Sequence, residues 1–218
     1  ATSRDNKKAS KFKWFSKVKY IPYDINCNDT KNLFVYFGEP DRVIHLAWEG
    51  LPNYENPIHL DKNLNNNSDF IDNLVSNGLK DISVTGTCFE YGMLNGCLSE
   101  DMNSEPSNCY AIAKDSLRRF IEALKKKYDF NYKWIRLFYM YGHGQNKNSL
   151  IALLDEAIKN KEKEFNMAGG EQLRDYLHIN EVVSNIIKIA LQNKIDNQII
   201  NCCSGKSISI KNLVEDYL

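Results

Sequence analysis

Short apolar runs alternate with stretches of helical spacing along almost the whole chain, and this alternation most constrains how it can fold. Residues 18–21 read as a strand. Leu33, Phe34 and Phe37 follow at helical spacing, with Asp29 or Thr30 able to cap the helix and Gly38 and Pro40 to end it. Residues 42–47 form a short apolar run suited to a buried strand. Leu64, Phe70, Ile71, Leu74 and Val75 return to helical spacing, stopped at Gly78, and residues 81–85 read as the next strand. Ser107 is the expected cap of a long helix bearing Ala111, Leu117, Phe120, Ile121 and Leu124. A strand at 133–138 and a helix at 150–158 continue the series. Strands separated by helices need crossover connections, which put helices on both faces of a parallel sheet. The expected class is therefore α/β with a doubly wound parallel sheet.

Beyond Tyr141-Gly142-His143-Gly144 the spacing loosens. Short strands at 164–167 and 175–178 lie between helices at 150–160 and 181–192. The expected division is a main domain over 1–142 and a smaller lobe over 143–218, with elements of the lobe returning to the main domain. Residues 1–4 look like the tail of a strand, and 212–218 stop inside a helix, so the chain reads as a fragment of a larger unit.

Composition removes several function classes. The chain has 218 residues, with 28 Lys+Arg against 28 Asp+Glu, so no positive excess recommends a nucleic-acid or anionic-membrane partner. No apolar run approaches the roughly 18–20 residues of a membrane span. Residues 1–16 are polar and basic, unlike a secretory signal. The six cysteines form no C-x-x-C pair and the four histidines are scattered, so no zinc-site spacing exists. Reduced thiols in a cytoplasmic protein are the expectation.

Thr87, Tyr110 and Lys114 are the sharpest candidates for chemistry. Tyr110 and Lys114 stand four apart on one helix and share a face. An ammonium so placed is expected to lower the phenol pKa from about 10. A phenol tuned in this way can donate a proton to a carbonyl oxygen or take one from an alcohol. Thr87, just past the strand at 81–85, can offer its hydroxyl to the same oxygen.

With those residues in hand, the chain resembles the extended short-chain dehydrogenase/reductases, the NAD-dependent epimerase/dehydratase family of nucleotide-sugar enzymes. The motifs run in order over nearly the whole chain: Asp24-Ile25, His45-Leu46-Ala47, the Thr87/Tyr110/Lys114 set with Tyr91-Gly92, and Ile135-Arg136-Leu137-Phe138 leading to Tyr141-Gly142. They continue through Arg174-Asp175-Tyr176-Leu177-His178 to Ser204-Gly205-Lys206-Ser207. The resemblance implies a Rossmann-type sheet whose first strand and glycine-rich phosphate turn would precede Ala1, with a small C-terminal substrate lobe. It implies catalytic roles for Thr87, Tyr110 and Lys114, with Tyr110 and Lys114 also meeting the cofactor. It implies adenine contact at Asp24 and Ile25 and cofactor contact at Leu46 and Ala47. Ser3 and Arg4 fall where the adenosine ribose lies, which would favour NADP slightly over NAD. Arg174 would pair with the substrate diphosphate, a task suited to a guanidinium fork. A homodimer is also implied, built on the Tyr110/Lys114 helix and the Leu64–Val75 helix. No metal is implied.

Departures narrow the reaction. Dehydratases of the family carry an Asp-Glu pair after the catalytic threonine, where this chain has Cys88 and Phe89. An epimerising cysteine would stand two positions after the catalytic residue, and Cys88 stands one. What remains is hydride transfer at C4 or 4-epimerisation. The segments around Thr87, His45-Leu46-Ala47-Trp48 and Gly169-Gly170 resemble reductases of dTDP-linked 4-keto-6-deoxyhexoses. A non-catalytic NAD(P)-binding protein is the alternative from another class. Glu90 either bonds sugar hydroxyls or pairs with a surface cation. Trp48 and Tyr54 either line the sugar pocket or pack under a loop. His143 is a candidate for substrate contact, while His45 and His178 read as satisfied core residues. Tyr139 stands where the family usually has Asn.

Overall fold

A computed structural model describes residues 1–27, 31–94, 96–167, 169–195 and 198–217. Four strands form one parallel sheet in the order β1 (Val43–His45), β2 (Asp81–Thr87), β3 (Asn131–Leu137) and β6 (Gln198–Cys202). A second group joins β4 (Tyr139–Tyr141), β5 (Leu173–His178) and β7 (Ser207–Ser209). The helices are α1 (Asn6–Ala9), α2 (Leu33–Tyr36), α3 (Asn65–Ser76), α4 (Cys109–Lys125), α5 (Leu150–Lys159), α6 (Ile179–Leu191) and α7 (Ile210–Tyr217).

Period-2 alternation sorts the strand residues onto two covered faces. Ile82, Val84, Tyr132 and Trp134 point to the face covered by α3 and α4, where Phe70, Ile71, Leu74, Leu117, Ile121 and Leu124 complete the larger core. Ile135 and Cys202 point the other way and meet Val182 and Ile186 of α6 with Leu177. The doubly wound α/β arrangement is thus present. β6 and α6 come from beyond residue 142 and build on the main sheet. Among the described residues no helix is long and apolar enough to cross a membrane.

Several local expectations need correction. Asp29 and Thr30 lie outside the described residues, and the α2 cap is Asn32, whose side chain accepts from Val35 N at 3.0 Å. Asn108, not Ser107, caps α4 by accepting from Ala111 N at 2.9 Å. In both cases the amide oxygen stands immediately before the helix, where it reaches the third amide. Residues 18–21 make no regular strand. They run beside residues 1–3 instead, with Ile21 N donating to Ala1 O and Tyr23 N to Ser3 O. Residues 164–167 form no strand either, because β5 takes its partners from β4 and β7.

Candidate active site

The carboxyl ends of parallel strands gather the segments that follow them into one crevice. Here β1 delivers Leu46 and Trp48, β2 delivers Thr87, and β3 runs on into Tyr139. Together with Tyr54 and the first two turns of α4 they line a cavity of about 650 Å³. Tyr139–Tyr141 and the segment leading to α5 close its far side. Thr87, Tyr110 and Lys114 all line this cavity and are 5%, 8% and 1% exposed. The structure therefore brings the three together.

Each is held by a local device. Thr87 ends β2 and caps the short 3-10 turn Cys88–Tyr91, its hydroxyl accepting from Phe89 N at 3.3 Å. Tyr110 sits in the first turn of α4, its backbone N–H tied to Tyr54 O at 2.9 Å. Its ring meets those of Trp48, Tyr54 and His59. Lys114 donates to Thr85 O at 2.8 Å, and its ammonium lies 4.0 Å from the Trp48 ring centroid.

The electrostatics differ from the expected tuning. Burial pushes the Lys114 ammonium down to about 7, with the charge of Glu90 resisting. Burial raises the Tyr110 phenol, with Glu90 adding to the rise and the Thr87 hydroxyl opposing it. The phenol is raised and not lowered, because desolvation favours its neutral form. A neutral phenol is the form that donates a proton. Burial likewise pushes the Cys88 thiol up to about 12, which denies it a thiolate and suits a packing role.

Glu90 is not among the residues that line the cavity. It is fully buried, and its carboxylate accepts from Thr87 N at 2.8 Å, Trp134 Nε1 at 3.0 Å and Arg136 Nε at 2.8 Å. The cation it pairs with is buried too: Arg136 is 1% exposed, its guanidinium stacked over Tyr91. Burial raises the Glu90 pKa and Arg136 opposes that rise. Gly86 makes room for this arrangement, since a Cβ there would stand 2.2 Å from Trp134 Nε1 and 2.5 Å from Glu90 Oε1. The sequence signal was available in the buried-strand position of Arg136, a cation that burial obliges to find a carboxylate.

Ser3, Arg4, Asp24, Ile25, Leu46 and Ala47 line a second cavity of about 440 Å³, which shares Leu46 and Trp48 with the first. Arg4 pairs with Glu49, which also takes Lys62 at 3.2 Å. Ser3 Oγ lies 2.7 Å from the Tyr20 hydroxyl. His45 is buried here with both ring nitrogens lacking a hydrogen-bond partner, so it is not the satisfied core residue expected. Burial and then the charge of Lys114 hold its pKa down at about 3. Arg174 donates to Leu173 O, and its guanidinium is 5.2 Å from the Tyr139 ring centroid, outside the cavity lining. His143 lines the first cavity. His178 caps α6 by accepting from Asn180 N at 3.2 Å.

Comparison with known proteins matches residues 2–203 to the model of the "NAD dependent epimerase/dehydratase family". A dTDP-6-deoxy-L-talose 4-dehydrogenase (NAD(+)) from Aggregatibacter actinomycetemcomitans is 30% identical over 177 residues, covering 81% of this chain and 64% of that protein. The chain thus spans a little under two thirds of that relative's length. A UDP-N-acetylglucosamine 4-epimerase from Methanobrevibacter ruminantium M1, solved with UDP-N-acetylmuramic acid, superposes with a TM-score of 0.73 at 28% identity, covering 90% of this chain and 64% of its own. MoeE5, solved with UDP-glucose and NAD, shares the fold with a TM-score of 0.75 at 24% identity over 90% of this chain and 67% of its own.

Proposed function

Because this chain belongs to the NAD dependent epimerase/dehydratase family, we propose that it transfers a hydride to or from C4 of a nucleotide-linked 4-keto-6-deoxy sugar. The observation that carries the proposal is the joint placement of Thr87, Tyr110 and Lys114 on one buried cavity at the strand ends. The dTDP-linked substrate class is favoured by the similarity to a dTDP-6-deoxy-L-talose 4-dehydrogenase.

The residues present fit a dinucleotide. Two joined cavities suit its two halves, and the unpartnered ring nitrogens of His45 and Oδ1 of Asn67 border the one that would take adenosine. Ser3, Arg4, Asp24, Ile25, Leu46 and Ala47 would hold that half, and Tyr110 and Lys114 would meet the nicotinamide end. The nicotinamide supplies or accepts the hydride when bound. In the reductive direction Tyr110 donates its phenolic proton to the C4 oxygen as that oxygen gains charge. Thr87 donates a hydrogen bond to the same oxygen, and Lys114 offsets the tyrosinate that results. Arg174, beside Tyr139 at the lobe, is proposed to meet the diphosphate. Hydride transfer needs no carboxyl pair at Cys88 and Phe89, whereas dehydration does.

Arg4 is already engaged by Glu49, so the 2′-phosphate preference expected from Ser3 and Arg4 is offset by a carboxylate at the same cavity. NAD is therefore the cofactor we propose. A homodimer through α3 and α4 is part of the same reading and is checked by light scattering. The experiment for the reaction follows NADH oxidation at 340 nm with a dTDP-4-keto-6-deoxyhexose. Stoichiometric loss of NADH and a new 4-hydroxy sugar support it, and no oxidation with any 4-keto sugar nucleotide overturns it. The 4-epimerase reading draws on the similarity to a UDP-N-acetylglucosamine 4-epimerase. It predicts interconversion of C4 epimers with no net change in NADH.

A further inference from the structure

Lys114 is fully buried, and its charged form has no conventional partner. Among the described residues no carboxylate lies within 4.0 Å of its ammonium, which hydrogen-bonds to the Thr85 carbonyl at 2.8 Å. Glu90, the carboxylate whose field reaches it, is already bound by Arg136, Trp134 and Thr87 N. The indole face of Trp48 also meets the ammonium, at 4.0 Å from the ring centroid. The negative face of an indole attracts a cation more strongly the less water intervenes.

That indole is fixed in place. Trp48 Nε1 donates to His59 Nδ1 at 3.0 Å, and Asn63 Nδ2 approaches the same nitrogen at 3.2 Å. Two donors on Nδ1 require its lone pair, so the ring proton is on Nε2, which faces Asn53 O at 2.8 Å. His59 is fully buried, and Asn63 also donates to Glu49 O. The Trp48 edge contact with Tyr110 at 6.0 Å completes the arrangement.

We propose that Trp48 is a positioning residue that holds the Lys114 ammonium charged and aimed within the site, with His59 and Asn63 fixing the angle of its ring. The proposal rests on the reading of Lys114 as the partner of Tyr110. The charged or titratable groups that act on Lys114 are Glu90 from the turn after β2 and His45 at the end of β1, while Tyr110, one turn earlier on the same helix, lines the same cavity. His45 is held neutral by burial, so it does not compete for the role.

The test titrates the Lys114 side chain directly, by 13C NMR of ε-labelled lysines, with the resonance identified by its loss in Lys114→Met. Losing the π face removes stabilisation of the charged form, so the midpoint in Trp48→Leu falls by about one pH unit. Trp48→Phe keeps a smaller π face and should fall by about half as much. An unchanged midpoint in folded Trp48→Leu overturns the proposal. If that variant does not fold, an unchanged midpoint in Trp48→Phe overturns it equally. The alkaline limb of the turnover profile should move down with the midpoint. A midpoint that falls while the turnover profile stays fixed supports the Trp48–Lys114 pairing and overturns the catalytic reading of Lys114.

Discussion

Replacing Glu90 with alanine should be among the most damaging single changes in the chain, for reasons unconnected with substrate. Arg136 is 1% exposed and Glu90 fully buried, so the variant leaves a guanidinium in the core without its carboxylate. Removing one partner of a buried ion pair costs about 3–5 kcal/mol. Thr87 N and Trp134 Nε1 lose their acceptor at the same time. Against a total stability of about 5–15 kcal/mol, such a loss brings the chain near its unfolding threshold. At about 2–4 °C per kcal/mol for a chain of this size, the melting midpoint should fall by about 6–20 °C. Urea unfolding followed by tryptophan fluorescence and circular dichroism at pH 7.5 measures the loss. Glu90→Gln keeps the volume and an acceptor, so it should lose less. Glu90→Leu combined with Arg136→Met removes both charges and should be more stable than Glu90→Ala. A Glu90→Ala loss under about 1 kcal/mol, or a double variant as unstable as the sum of its singles, would refute the buried-pair reasoning.

The folded-state pKa of Lys114, about 7 against 10.5 unfolded, means that its contribution is fully present above 10.5 and lost as pH falls through 7. Unfolding free energy should therefore rise between pH 7.5 and 9.5, by up to about 1.4 kcal/mol per pH unit, and Lys114→Met should flatten that slope. Denaturant midpoints at five pH values decide it, and equal slopes would show that Lys114 is not desolvated. Glu49→Gln frees Arg4 of its carboxylate, so the NADPH-to-NADH affinity ratio should rise by about tenfold, measured by fluorescence titration. No change would mean that neither residue meets the ribose.

The periodic elements were legible because they bury large apolar faces: α3, α4, β2 and β3 emerge from spacing alone. β6 was not, since Gln198-Ile199-Ile200-Asn201-Cys202 is short and flanked by polar residues, and its place beside β3 is a tertiary fact. The α4 cap shifted by one residue because Ser107 and Asn108 are both competent, and only the backbone path selects between them. The Thr87/Tyr110/Lys114 set could be read from order and spacing. The direction of the phenol shift could not, because it depends on burial, and the rings packed on Tyr110, those of Trp48, Tyr54 and His59, are distant from it in sequence. Glu90 illustrates the same limit: its sequence suggested a sugar-hydroxyl ligand or the partner of a surface cation, while the space left by Gly86 accommodates its carboxylate beside the buried Arg136.

The central claim is that Tyr110 moves the proton at C4, and the most direct measurement is single-turnover reduction of a dTDP-4-keto-6-deoxyhexose by NADH in wild type and Tyr110→Phe. The variant removes one hydroxyl from a buried ring and keeps its contacts with Trp48, Tyr54 and His59. The account predicts a rate lowered by about a hundredfold or more, with NADH affinity within about twofold of wild type, since loss of a positioned acid or base costs about 10²–10⁴-fold in the chemical step. A Tyr110→Phe protein that reduces the sugar at close to the wild-type rate would contradict it.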